Sequence, residues 1–585
     1  MADEQNFEQL VDSYRKNLDY DAKDDDLVSA IDTAMADSKV LKGKMDERGR
    51  TNKTYWKKGT MSDDTKYHPK KSRVICNRIF ADIETMIPII TSETPEPTVV
   101  GPGMNNDVQF RVQKGLNIAY EVVYKMKQKT QQLIRHWFLN MIGIMKYRWD
   151  TDGFTCELVL ARKVGFDPKA TSFDNCGYFW EEIEIELDVL KAKFPKKEKE
   201  IEAVYPQGGK KSKVYYIEFW GGGGEWYVCK LKSKSSILSK KKNPNFDYKN
   251  PENNIFKKPK FPYLIFNVMN LGDDASLYDD VGLIEVAASI QEDATKTKRQ
   301  ISDLNEGQKR VWTVSAEAMS EEEAQKLVDK TGDFVVRYDR KAPANALTQV
   351  QSGKPDASLF NNLDQSLSEI DNILGAHSTT RGERGQQETL GGRKLLMGSD
   401  YGRLDMIVQN LEDFLENWYN AYLHMIKVYA DQPVMLIGAE DTVEIKPEEI
   451  PSKILIMVKK GSTLPIDRRT KREEAIQLSQ IGSIDPGTLF EEMGYPNVQK
   501  RVADLYKWLA ATGKINPQAL MGMQEPLGQG LEKGLQNIQQ IMKSPEFEKL
   551  PPEEQMQFVK QAKGVVQQMK GQGVQPQGGQ PNAQQ

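Results

Sequence analysis

Residues 283–307, LIEVAASIQEDATKTKRQISDLNEG, and their echo at 357–374, ASLFNNLDQSLSEIDNIL, carry the pattern from which the rest of the chain can be read. In the first stretch Leu283, Ala287, Ile290, Ala294, Thr297, Ile301 and Leu304 recur in alternating steps of four and three, the repeat of a helix with a narrow apolar seam. In the second, Phe360, Leu363, Leu367, Ile370 and Leu374 repeat the stripe behind Asp356, an N-cap residue. Two long helices therefore flank an insert. Small Ala and Thr at seam positions allow close packing, yet two helices alone leave most of their flanks exposed. The stripe fits an intramolecular hairpin and fits equally well copies packed side by side in a ring.

The insert reads as a strand over Arg310–Val314 (RVWTV), a helix opened by the capping pair Ser320 and Glu323, a stop at Gly332, and a second strand over Phe334–Tyr338. After the second helix, residues 377–398, HSTTRGERGQQETLGGRKLLMG, hold Gly382, Gly385, Gly391, Gly392 and Gly398 with almost no apolar content before Leu390, the composition of a loop. A long helix follows, on which Leu404, Ile407, Leu411, Phe414, Leu415, Trp418, Tyr422 and Ile426 form a broad apolar face, predicting a spine through a domain interior.

Towards the N-terminus, Leu10, Tyr14 and Leu18, then Leu27, Ile31 and Met35, predict short surface helices. A helix is expected over 70–91, with Ile75, Ile79, Ile83 and Ile87 four apart and Pro88 as its stop, and another from about Asp107 to Gly143. From Lys146 to Tyr263 the runs MKYRW, CELVLARKV, KVYYIEFW and EWYVCKL predict strands. Ten lysines between Lys230 and Lys260 could grip phosphates, but a solvated loop at a sheet edge is the simpler reading. Strands TVEIK and KILIMV and helices from Lys471 complete an α+β chain, closed by a Gly/Gln/Pro-rich tail expected to be disordered.

The 585 residues allow several folded units, and 80 Lys+Arg against 84 Asp+Glu exclude a globally basic nucleic-acid binder. Four separated cysteines, no basic-then-apolar leader and no apolar run approaching the roughly 20 residues of a membrane span predict a protein with no disulfide scaffold and no membrane contact. No phosphate loop, no paired-histidine metal motif and no nucleophile elbow is present; Gly208–Ser212 lacks the leading glycine, and Gly221–Gly224 between Trp220 and Trp226 reads as a turn. No enzyme, metal or cofactor is expected.

Taken in order, a helix carrying SRVICNRIFADIETMIPIITSETPEPTVVGP, a β-rich body with ARKVGFDPKATSFDNCGYF, paired helices around an insert, a glycine-rich loop and a spine helix resemble the portal, or head-to-tail connector, proteins of tailed bacteriophages, of the podovirus-like kind. The resemblance runs from Ser72 to Tyr429 and rests on the order of elements, with Ser72, Arg73, Asn77, Pro95, Pro97 and the Asp167, Pro168, Ala170 group as its most specific residues. It implies a ring, usually dodecameric, at one capsid vertex, conducting double-stranded DNA during packaging and ejection. The implied partners are further copies of the chain, the major capsid protein, the terminase large subunit and a tail adaptor, with assembly in the host cytoplasm.

Carried onto this chain, the resemblance divides it into an N-terminal helical segment (1–70), a wing (71–280), stem helices (281–306 and 355–376) around a clip (307–350), a channel loop (377–398), spine helix and further wing strands (399–470), a crown (471–570) and a tail (571–585). Arg381, Arg384, Arg393 and Lys394 are then expected to face DNA, among Glu383 and Glu388. Leu283, Ala287, Ile290, Ile301, Leu363, Leu367 and Ile370 are expected at the ring interface, and Trp312 at the docking surface for motor or adaptor. Another virion structural or scaffold ring protein is the alternative.

Overall fold

The computed structural model describes residues 18–61, 72–92, 94–206, 212–232, 236–270, 276–307, 311–314, 321, 347–350, 355–376, 390–438, 442–458, 465–493 and 498–511. The chain divides into two units, residues 1–469 and 470–585.

The first unit opens with α1 (Asp24–Lys58), a single helix of 35 residues where short surface helices were expected. Three acids, Asp24 to Asp26, stand at its positive end and Lys57 and Lys58 at its negative end, and Gly59 ends it in the left-handed region with its N–H on the Tyr55 carbonyl. One face of it is buried, through Leu27, Ile31, Ala34, Met35 and Met45, and the other meets solvent. Helix α2 (Arg78–Ile90) starts eight residues later than expected, because the Asn77 side chain accepts from Phe80 N and fixes the start there. It continues past Pro88, which sits in the final turn, where the ring removes only one helical hydrogen bond.

Strand β1 (Pro97–Val100) lies within the Pro-rich connector. The expected helix from Asp107 to Gly143 is two: α3 (Asn106–Ile118) runs into a π-turn over Ala119–Val123, and α4 (Met126–Asn140) follows Lys125, which takes φ +48°. Tyr124 N reaches the Ala119 carbonyl across that widened turn. The predicted β region follows as β2 (Gly143–Asp150), β3 (Gly153–Val159), β4 (Val164–Phe166) and β5 (Phe179–Glu186), short helices α5 (Leu187–Lys193) and α6 (Glu198–Val204), then β6 (Lys213–Gly221), β7 (Trp226–Leu231), β8 (Ile237–Lys242) and β9 (Tyr263–Phe266). Two antiparallel sheets result, β3-β2-β9 and β4-β5-β6-β7-β8. The glycine run joins β6 to β7, with Gly222, Gly223 and Gly224 all at positive φ, as a reversal that only glycine enters without strain requires.

The remaining elements are α7 (Leu283–Gly307), β10 (Val311–Val314), β11 (Leu347–Val350), α8 (Ala357–Leu374), α9 (Leu390–Tyr429), β12 (Val434–Ile437), β13 (Thr442–Ile445), β14 (Leu455–Val458), α10 (Pro465–Gln480), α11 (Pro486–Glu492) and α12 (Val498–Ala511). The loop expected through Gly398 is helical from Leu390 onward: the run Arg393 to Met397 favours helix strongly enough to carry Gly391, Gly392 and Gly398, each costing about 1 kcal/mol relative to Ala. Strand β10 pairs with β11, Val311 opposite Val350 and Val314 opposite Leu347; the expected partner at 334–338 and, but for residue 321, the insert helix at 320–330 lie outside the described residues, as do 1–17, 377–389 and the tail.

The main core gathers around α9, which lies against β2, β9 and β14. Trp418 and Tyr422 are core, as their spacing predicted: both are buried, their rings stack at 5.8 Å, and Phe154 meets Tyr422 edge-on at 5.1 Å. His424 is structural, accepting from Ile255 N at Nδ1 while Nε2 lies 2.7 Å from the Asn245 carbonyl. Burial lowers its pKa to about 4 against the opposing pull of that carbonyl. In the second unit, α11 packs on α12, as the helical reading of that region expected.

Candidate assembly element

The two seam helices pack on each other, and their outer contact is small: Ala294, Ile301 and Leu363 are buried there with Leu359 and Leu367 against them. Nearer the body, Ala287 and Ile370 join the main core, with Leu283 and Ile290 packed at its edge. All seven residues expected at a ring interface are thus in contact within one chain. What faces outward is different: Val286 is 50 % exposed, Phe360 44 % and Leu304 37 %.

The root of α7 is held by polar side chains that the seam pattern did not reveal. The Arg48 guanidinium of α1 donates from Nε and Nη2 to the two Glu285 oxygens, both at 2.7 Å, and also to the Tyr278 and Asp280 carbonyls. That paired geometry makes Arg48 a directional clamp. Its proton is held more tightly than usual, through the Glu285 hydrogen bond acting against burial. The buried Gln291 carbonyl oxygen accepts from Arg78 N and Ile79 N, the first amides of α2. Arg78 in turn forks onto Asp371 of α8 at 2.6 and 2.9 Å, so α2 is tied to both seam helices.

Upstream of α2, residues 72–77 form an extended strap along α7. Ser72 N donates to Asp303 at 2.6 Å, the Val74 carbonyl accepts from Arg299 at 3.2 Å, and Gln291 meets Arg78. Chain number rises along the strap as it falls along the helix, so the two run antiparallel over about 18 Å of α7. The signal lay in Ser72, Arg73 and Asn77, read only as part of a resemblance. At about 1.5 Å per residue, α7 carries the chain about 37 Å from this root to the β10–β11 hairpin.

Trp312 stands on β10 opposite Gln349. Arg393 and Lys394 fall in the first turns of α9, whereas Arg381 and Arg384 lie outside the described residues. The lysine run supplies the edge strand β8, where Lys240 donates to the Ala22 carbonyl and Lys242 lies over Tyr20 and Tyr248. The run is thus part strand and not only the solvated loop that was expected: Lys230 is buried in β7, bonded to Asp32 of α1, while Lys240 to Lys242 form a lysine-rich edge that discourages further strand pairing.

Among the described residues no group of three His, Cys, Asp or Glu is placed to hold a metal, and no helix is long and apolar enough to cross a membrane. None of the four cysteines forms a disulfide. A cleft of about 800 Å³ is lined by Phe173, Lys258, Lys260, Asn267, Asn410 and Asn417 among others.

The most heavily charged buried group bolts the two sheets together. Lys146 of β2 donates to Glu181 of β5 and Glu218 of β6, each at 2.7 Å; Tyr263 OH donates to Glu181 and Trp220 Nε1 to Glu218, both at 2.8 Å. Burial opposes the Lys146 charge, but the two carboxylates outweigh it and raise the lysine pKa; Glu218 is lowered, its burial outweighed by Lys146. Every oxygen facing the lysine has a donor, which suits a structural cross-brace.

The sequence matches no protein-family profile and no curated protein. Solved structures similar to the chain include a chain of the neck of an empty GTA particle computed with C6 symmetry, at TM-score 0.37 and 10 % identity over 74 % of this chain and 95 % of that one. A chain of the virion of the native gene transfer agent (GTA) particle gives TM-score 0.37 and 9 % identity over 74 % and 94 %. A chain of the neck of the native GTA particle computed with C12 symmetry gives 0.37 and 10 % over 72 % and 90 %.

Proposed function

We propose that this chain is a virion structural subunit of portal type, assembling into a ring at one capsid vertex through which double-stranded DNA passes during packaging and ejection. The observation that carries this reading is the order of its elements. A mixed sheet body is followed by a strapped pair of helices with a hairpin at the far end, and then by a 40-residue helix through the body's core. Such a pair is clamped at its root, strapped along α7 as far as Asp303, and joined helix to helix by only a small apolar cluster further out. Identical copies set side by side would cover the exposed Val286, Leu304 and Phe360 and line a central passage with helices.

In this reading the β10–β11 hairpin with Trp312 meets the terminase large subunit and the tail adaptor, the sheet body meets the major capsid protein, and the segment holding Arg381, Arg384, Arg393 and Lys394 faces the duplex. The subunit performs no chemistry and needs no cofactor; the motor is a separate protein. Mixed charge on the facing segment suits sliding, because each fixed cation against a phosphate adds a salt-dependent well along the path. Electron microscopy of the purified chain with rotational classification tests the reading. Closed rings with a central hole are expected; filaments, shells or a monomer at all concentrations would refute it.

A further inference from the structure

Helix α3 carries two small ribbons, β1–β14 and β12–β13, both packed against it. Each is two-stranded, with no further strand paired to its edges among the described residues. Their inner faces are spent on the core: Val99, Ile456 and Val458 in one, Leu436, Val443 and Ile445 in the other. Their outer faces should then be polar, since an antiparallel ribbon with one covered side alternates apolar and polar residues. Thr98, Thr442 and Glu444 keep to that rule, but the residues beside them do not: Val100 is 48 % exposed, Leu455 54 %, Met457 43 %, Met435 58 % and Ile437 68 %. The runs VMLI and LIMV are continuous apolar segments, the pattern of strands covered on both sides.

Resting on the ring reading above, we propose that these ribbons form a subunit interface, the β12–β13 ribbon of one copy lying against the β1–β14 ribbon of the next. Three features identify the occupant as a second copy. A closed ring of identical chains needs two different surfaces, one given and one received, and the module presents two dissimilar ribbons, each with an uncovered apolar strand, β12 in one and β14 in the other. With Phe110 of α3, 57 % exposed, the side chains of the two ribbons together leave on the order of 500 Å² of surface in water, about a third of the roughly 1,600 Å² that a standard interface buries over both partners and enough to form its apolar centre. The rims are also complementary: Asp431 and Glu444 flank Met435, whereas Lys453 stands two residues before Leu455. Lys446, near the acidic rim, is already placed beside Glu449.

The test is proximity and assembly measured together. In a Cys76→Ser background, Ile437→Cys combined with Leu455→Cys and treated with a flexible bis-maleimide should give a ladder of covalent oligomers ending at the ring, while either single cysteine gives none. Ile437→Glu should raise the concentration for half-assembly at least about tenfold with an unchanged unfolding midpoint, because the side chain it replaces lies in solvent; Ile437→Ser should act in the same direction more weakly. Wild-type rings, no ladder and a freely assembling Ile437→Glu variant would overturn the interface and leave the portal reading standing. A ladder from a chain that forms filaments or shells would support the interface and refute the ring. A wild-type chain that stays monomeric refutes both.

Discussion

Truncating Ile301 separates the two uses of the apolar seam. Its side chain is 5 % exposed and belongs to a satellite cluster of three buried residues, Ala294, Ile301 and Leu363. Ile301→Ala removes three carbons, about 2.4 kcal/mol at about 0.8 kcal/mol each, and so small a cluster collapses enough to keep the added cavity cost low; about 2–3 kcal/mol follows. The loss should be local, because the root clamps of Arg48, Gln291 and Arg78 lie on the other half of the helix. Amide exchange over 294–307 and 357–367 of the unassembled chain should therefore accelerate about 30- to 150-fold, at about 1.4 kcal/mol per factor of ten, while amides 404–426 of the spine stay as slow as in wild type. Unchanged exchange in the isolated chain, combined with loss of rings, would refute the reasoning: Ile301 would then be stabilising contacts between copies and not within one.

Four further outcomes follow from the same geometry. Burial pushes the Asp280 carboxyl up to about 7, Asn267 and Arg48 opposing and Asp279 adding to it. A carboxyl raised on folding contributes stability that is full below pH ~4 and lost as pH climbs to ~7, so Asp280→Asn should gain on wild type by on the order of 3 kcal/mol at pH 8 and by nothing near pH 4, measured by denaturant titration. Lys146→Met strands two facing carboxylates and should cost about 3–5 kcal/mol at pH 8, read from the shift of the denaturant midpoint. Reversing Arg381, Arg384 and Arg393 to Glu should leave rings intact by microscopy but lower the genome content of particles, and normal packaging with normal retention would refute a DNA-facing role. Trp312→Ala should keep the ring and weaken adaptor capture, read by co-sedimentation.

The sequence was readable where a single periodicity decided burial. The α9 face from Leu404 to Ile426 and the strands from β2 to β9 are of this kind, because one apolar face packed on one core leaves one solution. It was silent where polar residues do the fixing. Lys146, Glu181 and Glu218 alternate into their strands as solvent-facing residues would, and only the stacking of two sheets makes them a buried cross-brace. The Arg48, Gln291 and Arg78 clamps span hundreds of positions and leave no local pattern. Helix α2 shows a smaller version of the same limit: a capping hydrogen bond accepted by Asn77 from Phe80 N outweighed the apolar repeat that began at Ile75, and Pro88, two residues before the helix ends, cost too little to stop the chain.

The seam itself marks the deeper boundary. A heptad stripe states that a helix must be covered but not by what, and in this chain α7 and α8 cover each other. The residues that sequence reasoning assigned to contacts between copies are therefore the ones a single copy already uses, and the surface left for a neighbour must be sought beyond them. That surface consists of apolar residues a single copy leaves uncovered: Val286 beside the seam, Leu304 and Phe360 at the seam's outer end, and Val100, Leu455, Met457, Met435 and Ile437 on the outer faces of the ribbons. Apolar side chains in water on one isolated helix flank are ordinary. Two ribbons on one helix, each with an uncovered apolar strand, are not, because a chain that met only solvent would gain by replacing those side chains with polar residues, at no cost to the core packed beneath.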